Sequence, residues 1–299
     1  MTAITLPQPD IVADGLAMPE APRWHDGAFY FSDIWSGRVM KMSGEGGLTT
    51  VAEFPGKYAS GLGFLPNGDL LTVLMDERQV MRTVPGGRGV LHADLKPLTR
   101  FHINDMVVDR QGRAYVSQPG FDMWAERVEP QTTDIILIEP DGRARIAASG
   151  LNSPNGMAIS PDGKTLFVAE SSAGCIATFA IAADRSLSGH KIFAGLPDGG
   201  IPDGICLDDS GGIWACVPVS LAGLEGHGLG VQRIVESGTV THAVPVSAGR
   251  RALACVFGGD DRRSLFICTA DAVRPDQARA AKAGRVERVE LDFRGAGLP

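Results

Sequence analysis

Short apolar runs alternate with turn-rich polar breaks along this chain. Between residues 104 and 150 the segments NDMVVDRQ, GRAYVSQ, TDIILIEPDG and RARIAASG each place apolar residues at alternating or nearly continuous positions. That is the pattern of strands with both faces packed. The breaks DRQG and EPDG, like PNGD and SPDG elsewhere, supply Asn, Asp and Gly where a tight hairpin needs them. The predicted unit is therefore four consecutive antiparallel strands.

The unit recurs. PEAPRWHDGAFYFSD (19–33), SGLGFLPNGDLLTVL (60–74), NDMVVDRQGRAYVSQ (104–118), NGMAISPDGKTLFVAE (155–170), DGICLDDSGGIWACV (203–217) and ALACVFGGDDRRSLFICT (252–269) align on their turns. Their first equivalent positions are Glu20, Ser60, Asn104, Asn155, Asp203 and Ala252, about 40 to 51 residues apart. This period is typical of propeller blades or solenoids. The expected fold is all-β: a six-bladed β-propeller with four-stranded antiparallel blades around a central channel. GRVERVELDF (284–293) reads as a strong strand, and the N-terminal ITLPQPDIVAD is expected beside it, completing the last blade and covering free edges.

Six such units use the whole chain as one domain, 1–299, with no linker. Glycine and proline are spread through turns rather than massed in a low-complexity tract. A net charge of −7 lacks the basic footprint of nucleic-acid binding. The start MTAITLPQPDIVADGL has no basic segment leading into an apolar one, and no apolar run reaches membrane-spanning length. These features predict a cytoplasmic protein without membrane or nucleic-acid partners. Cys175, Cys206, Cys216, Cys255 and Cys268 are odd in number and lack CxxC spacing, so they are expected to be buried, reduced thiols.

Closing the ring gives the repeat chemical meaning. The equivalent position opens the innermost strand of each blade, so Glu20, Asn104, Asn155 and Asp203 should meet at one end of the channel. Asn-Gly and Asp-Gly pairs taken singly read as turns; a shared repeat position reads instead as a ligand set. Carboxylates plus neutral amide oxygens suit one hard divalent cation, Ca²⁺ before Mg²⁺ or Mn²⁺, with Zn²⁺ and Fe²⁺ still open. Few protein ligands leave room for water and substrate, and such a cation can polarise an ester or lactone carbonyl. Asp203 can orient or deprotonate the water, or attack the substrate itself. Asp109, Asp162 and Asp208, in hairpin turns at the opposite end, are read as structural.

Glu20 in MPEAPRW, Asn104-Asp105 in FHINDMVVD, Asn155 in SPNGMAIS and Asp203 in IPDGICLD resemble the signature positions of the senescence marker protein, gluconolactonase and luciferin-regenerating enzyme family over about residues 14 to 293. The resemblance implies a six-bladed propeller holding one divalent cation. It implies Glu20, Asn155 and Asp203 as metal ligands, with Asn104 ligating or holding substrate beside the metal. Sugar lactonases of that family commonly carry Arg two residues before the equivalent of Asn104, where this chain has His102. His102 is then a candidate substrate donor or proton carrier, or simply a packed histidine.

Loops 34–37, 75–79, 118–133, 171–174, 218–230 and 270–284 should rim the pocket, offering Trp35, Met75, Phe121, Met123, Trp124, Leu221 and Leu224. Candidate substrate contacts are Asn104, His102, Trp35, Phe121 and Trp124, and candidate catalytic residues are Asp203 and Asn104. The apolar rim points to a lactone or ester less polar than a plain aldonolactone. The expected function is metal-dependent hydrolysis of a small lactone to its hydroxy acid. The alternatives are phosphotriester or aryl-ester hydrolysis at the same site, or a ligand-binding propeller with a structural cation.

Overall fold

The computed structural model describes residues 3–43, 47–123, 125, 131–220 and 228–298. Its sheets form the expected ring of six four-stranded antiparallel blades. The innermost strands are Pro19–His25, Ala59–Phe64, Met106–Val108, Pro154–Ile159, Ile205–Asp208 and Arg251–Gly258. Blade three has its remaining strands at Ala114–Val116, Thr132–Ile138 and Ala144–Asn152, in the order the sequence pattern gives.

The apolar residues fill the gaps between blades, and each gap has its own cluster. Val107, Tyr115 and Leu137 of blade three pack on Met157, Leu166 and Val168 of blade four. Cys206, Trp214 and Cys216 of blade five pack on Cys255, Phe257 and Ile267 of blade six. All five cysteines are buried and unbridged, with Cys206 Sγ 3.6 Å from Cys255 Sγ. Burial pushes the thiol of Cys216 up to about 11, so it stays protonated and inert at neutral pH.

Both chain ends contribute to closure. The N-terminal strand Asp10–Leu16 pairs antiparallel with Gly284–Glu290 as the outer strand of blade six, as expected. Just before it, Ile4–Thr5 runs parallel to the outer strand of blade five. The C-terminal segment was not anticipated from sequence: Gly295–Ala296 pairs with the inner edge of blade five, and Leu298 exchanges backbone hydrogen bonds of 2.7 and 3.0 Å with Ile159 of blade four. It lies at the end of the channel where the innermost strands finish. Asp208 at that end accepts the Gly212 N–H at 2.9 Å, the Trp214 indole N–H at 2.9 Å and the Arg233 guanidinium at 2.6 Å, a structural role. Asp109 likewise closes its hairpin by accepting the N–H groups of Gln111 and Arg113.

Candidate metal centre and active site

A recurrent irregularity aims Glu20, Asn104, Asn155 and Asp203 at the channel. The pairing of the first two strands slips between Glu20 and Arg23, between Ala59 and Leu62, between Pro154 and Met157, and between Ala252 and Ala254. In blades three and five the ladder also stops short, and Asn104 and Asp203 are held by backbone bonds of 2.9 Å from their N–H groups to Ser117 and Cys216. A bulge bends the strand and redirects a side chain. Here it turns Glu20 and Asn155 out of the blade stack, whereas Ala252, aligned with them in the sequence, stays packed in the apolar cluster between blades five and six.

The glycines that follow the donors are not turn glycines. A Cβ on Gly156 would lie 2.5 Å from the Asp203 carbonyl oxygen, and one on Gly204 would lie 2.5 Å from the Ala254 Cβ. They are glycine because the neighbouring blade passes that close. Blade one has Ala21 at this place, with φ of 47°. Its N–H donates to Glu20 Oε2 at 2.7 Å, which fixes the carboxylate.

Glu20, Asn104, Asn155 and Asp203 all line one pocket of about 370 Å³. All four are half-buried, as befits groups at the floor of an open cavity. The two asparagines are joined in a directional relay. The Ser60 hydroxyl donates to Asn104 Oδ1 at 3.2 Å, and Asn104 Nδ2 donates to Asn155 Oδ1 at 2.7 Å, with the Asn155 amide beside Asp203. Asp203 is pushed up to about 7, first by burial and then by the negative charge of Asp105, against the Asn155 hydrogen bond. Burial, then repulsion from Asp203, also raises Glu20 well above the usual carboxylate range.

Beneath this floor Arg23 ties three blades together. Its side chain is buried and donates to the carbonyls of Pro22, Leu62 and Met106 and, at 3.1 Å, to Asp105 Oδ1. Neither Arg23 nor the relay role of Ser60 was foreseen, although the phase of the repeat already singled out Ser60.

The wall is apolar: Met18, Ile34, Trp35, Met75 and Met123 line it. Trp35 and Met75 thus stand where the rim loops were expected to place them. His102 and Phe121 are not among the described lining residues. His102 is buried, and burial holds its imidazole below its ordinary value despite Asp76 and Asp122 nearby. Trp124, Leu221 and Leu224 lie outside the described residues. The loop between the second and third strands of blade six adds a helix that sequence did not reveal, α1 (Pro275–Ala281), and from its start come Arg274 and Asp276 at the pocket mouth.

The donor set fits a hard divalent cation. Two carboxylates forced together by burial, with amide oxygens beside them and no Cys or His among the described lining residues, are relieved by a positive charge. Among the described residues no group of three or more His, Cys, Asp or Glu side chains is arranged for a metal, so any ion here relies on Asn oxygens as well.

These features define a six-bladed propeller with an oxygen-donor pocket at one end of its channel. The chain belongs to the SMP-30/Gluconolactonase/LRE-like family, whose sequence profile matches residues 18–271. It is 27% identical over 299 residues to the pentonolactonase XacC of Haloferax volcanii, covering 97% of this chain and 95% of that protein. It is 22% identical to the gluconolactonase of Zymomonas mobilis, covering 86% of this chain and 78% of that protein. The solved structure of regucalcin, a calcium-binding protein from Agrobacterium tumefaciens, superposes with a TM-score of 0.78 at 18% identity, covering 100% of this chain and 98% of that one, which supports the fold.

Proposed function

We propose that this chain is a divalent-cation-dependent lactonase, opening a small cyclic ester to its hydroxy acid. The observation that carries the reading is the convergence of Glu20, Asn104, Asn155 and Asp203, from four blades, in one pocket with an apolar wall. Family membership and the names of the relatives XacC and gluconolactonase point the same way.

Glu20, Asn155 and Asp203 are the residues to hold the cation, with Ca²⁺ the best match to their oxygens. When bound, it supplies Lewis acidity for the lactone carbonyl and charge for the oxyanion. The side chains divide the remaining work. Asn104 uses one amide N–H on Asn155 and has a second for a substrate oxygen, placing the ring. Asp203 orients the attacking water and takes a proton as that water adds to the carbonyl carbon. When the ring C–O bond breaks, that proton passes to the departing alkoxide oxygen, and the hydroxy acid leaves. The apolar wall limits competing water, which strengthens these polar contacts.

The test is proton release from a panel of lactones, aryl esters and phosphotriesters, with protein loaded with Ca²⁺ and with protein treated with chelator. Cation-dependent acid production from lactones is expected. Bound cation without turnover of any lactone would overturn the reading and leave a binding propeller or an esterase of another class.

A further inference from the structure

Arg274 is the one cationic side chain among the described residues lining the pocket, which also holds the carboxylates of Glu20, Asp203 and Asp276. It is exposed, at the start of α1, in the same pocket as the donor residues. Among the described residues it has no recorded ion-pair partner. Its setting is built rather than loose. Pro275 follows it and holds its backbone extended, at φ −76° and ψ 137°. Helix α1 is anchored across the entrance to blade one: Ala278 is buried in the core, and Arg279 donates to the Trp35 carbonyl at 2.8 Å while its guanidinium lies 5.5 Å from the Tyr58 ring centre. The same contact steadies Trp35, which itself lines the pocket.

From this arrangement we infer that Arg274 is a specificity residue that binds an anionic substituent, such as a carboxylate, carried by the lactone away from its ring carbonyl. The inference rests on the lactonase reading of the floor. A cation bound by Glu20 and Asp203 offsets their charge, so the reacting end of the pocket is close to neutral. A second negative group on the substrate then meets Asp276 at the mouth and needs the Arg274 guanidinium to be tolerated. A guanidinium and a carboxylate attract as opposite charges and can pair through two parallel N–H···O bonds, which a neutral hydroxyl cannot match, so the pairing discriminates by charge.

The experiment compares two aldonolactones with the same ring, one ending in hydroxymethyl and one in carboxylate, on Ca²⁺-loaded wild type, Arg274→Gln and Arg274→Lys. For the anionic lactone, Arg274→Gln should raise KM on the order of tenfold with kcat nearly unchanged, while the neutral lactone changes less than about twofold. Arg274→Lys should restore part of the loss. Equal loss on both lactones, or no change on either, would overturn the inference. Calorimetric binding of the open-chain dicarboxylate to the same three proteins is read independently of turnover. Arg274-dependent binding without hydrolysis of any lactone would sink the lactonase reading and keep this one. Hydrolysis with dicarboxylate binding indifferent to Arg274 would do the reverse.

Discussion

Asn104 of blade three donates its side-chain N–H to the Asn155 oxygen of blade four at 2.7 Å, and that bond links the side chain proposed to hold substrate to one proposed to hold the cation. Breaking it should disturb both. Asn104→Ala is expected to lower cation affinity and kcat/KM by about 10- to 100-fold each, the usual loss when the neighbour that orients a ligand is removed. Calcium titration calorimetry and steady-state kinetics would show it. Loss of rate with full cation affinity would mean that Asn155 is held by other means.

Glu20→Gln and Asp203→Asn keep shape and remove one charge. Each should abolish measurable hydrolysis and sharply weaken Ca²⁺ binding, because an amide cannot supply the lost charge. Wild-type turnover in either variant would remove that residue from the site.

In the cation-free protein Asp203 is pushed up to about 7 and Glu20 is raised as well. A carboxyl group whose folded pKa exceeds its unfolded value, about 4, contributes stability that is complete below the unfolded value and is lost as pH rises through the folded one. The Tm of chelator-treated protein should therefore fall between about pH 4 and pH 7 through these two groups. Ca²⁺ should raise Tm in a concentration-dependent way, by about 2.7 kcal/mol of stability at a hundred times its Kd, and the gap should widen over the same pH window. Melting curves in a pH series, with the paired Asp203→Asn variant as control, check this. A gap that narrows with rising pH would contradict it.

Gly204→Ala should be costly, since the new Cβ would sit 2.5 Å from the Ala254 Cβ in the packed seam between blades five and six. A loss of about 1–3 kcal/mol is expected from overpacking. The shift of Asp203 should appear as weaker Ca²⁺ binding. A variant with wild-type Tm and affinity would show that the blades can part without cost.

His102→Gln should act on stability more than on specificity. The side chain is buried outside the described pocket lining, so a loss of about 0.5–3 kcal/mol is expected, with the ratio of kcat/KM for two lactones moving less than about twofold. A larger change in that ratio would place His102 against substrate.

The ring and its donors were legible because the repeat records hydrogen bonding inside a blade, and intrablade pairing follows local alternation. Contacts between blades leave no such trace. Gly156 and Gly204 looked like turn formers, because nothing local announces the neighbouring backbone that excludes a side chain there. Arg23 reads as an ordinary residue of an innermost strand until ring closure brings the Leu62 and Met106 carbonyls to it. Arg274 and α1 sit in a loop with no repeat partner, where phase carries no information. The pairing of Leu298 with Ile159 joins positions that no periodicity relates.

The bulge behind Glu20, Ser60 and Asn155 makes each position a socket whose direction is set by backbone rather than by the residue it holds. Ser60 occupies one such socket without offering a carboxylate or an amide, and its hydroxyl donates to Asn104 Oδ1. The donor set can therefore be rewritten one residue at a time on an unchanged frame. A carboxylate introduced at 60 would stand beside Asn104, add a negative charge to the donor set and shift which ion the pocket prefers.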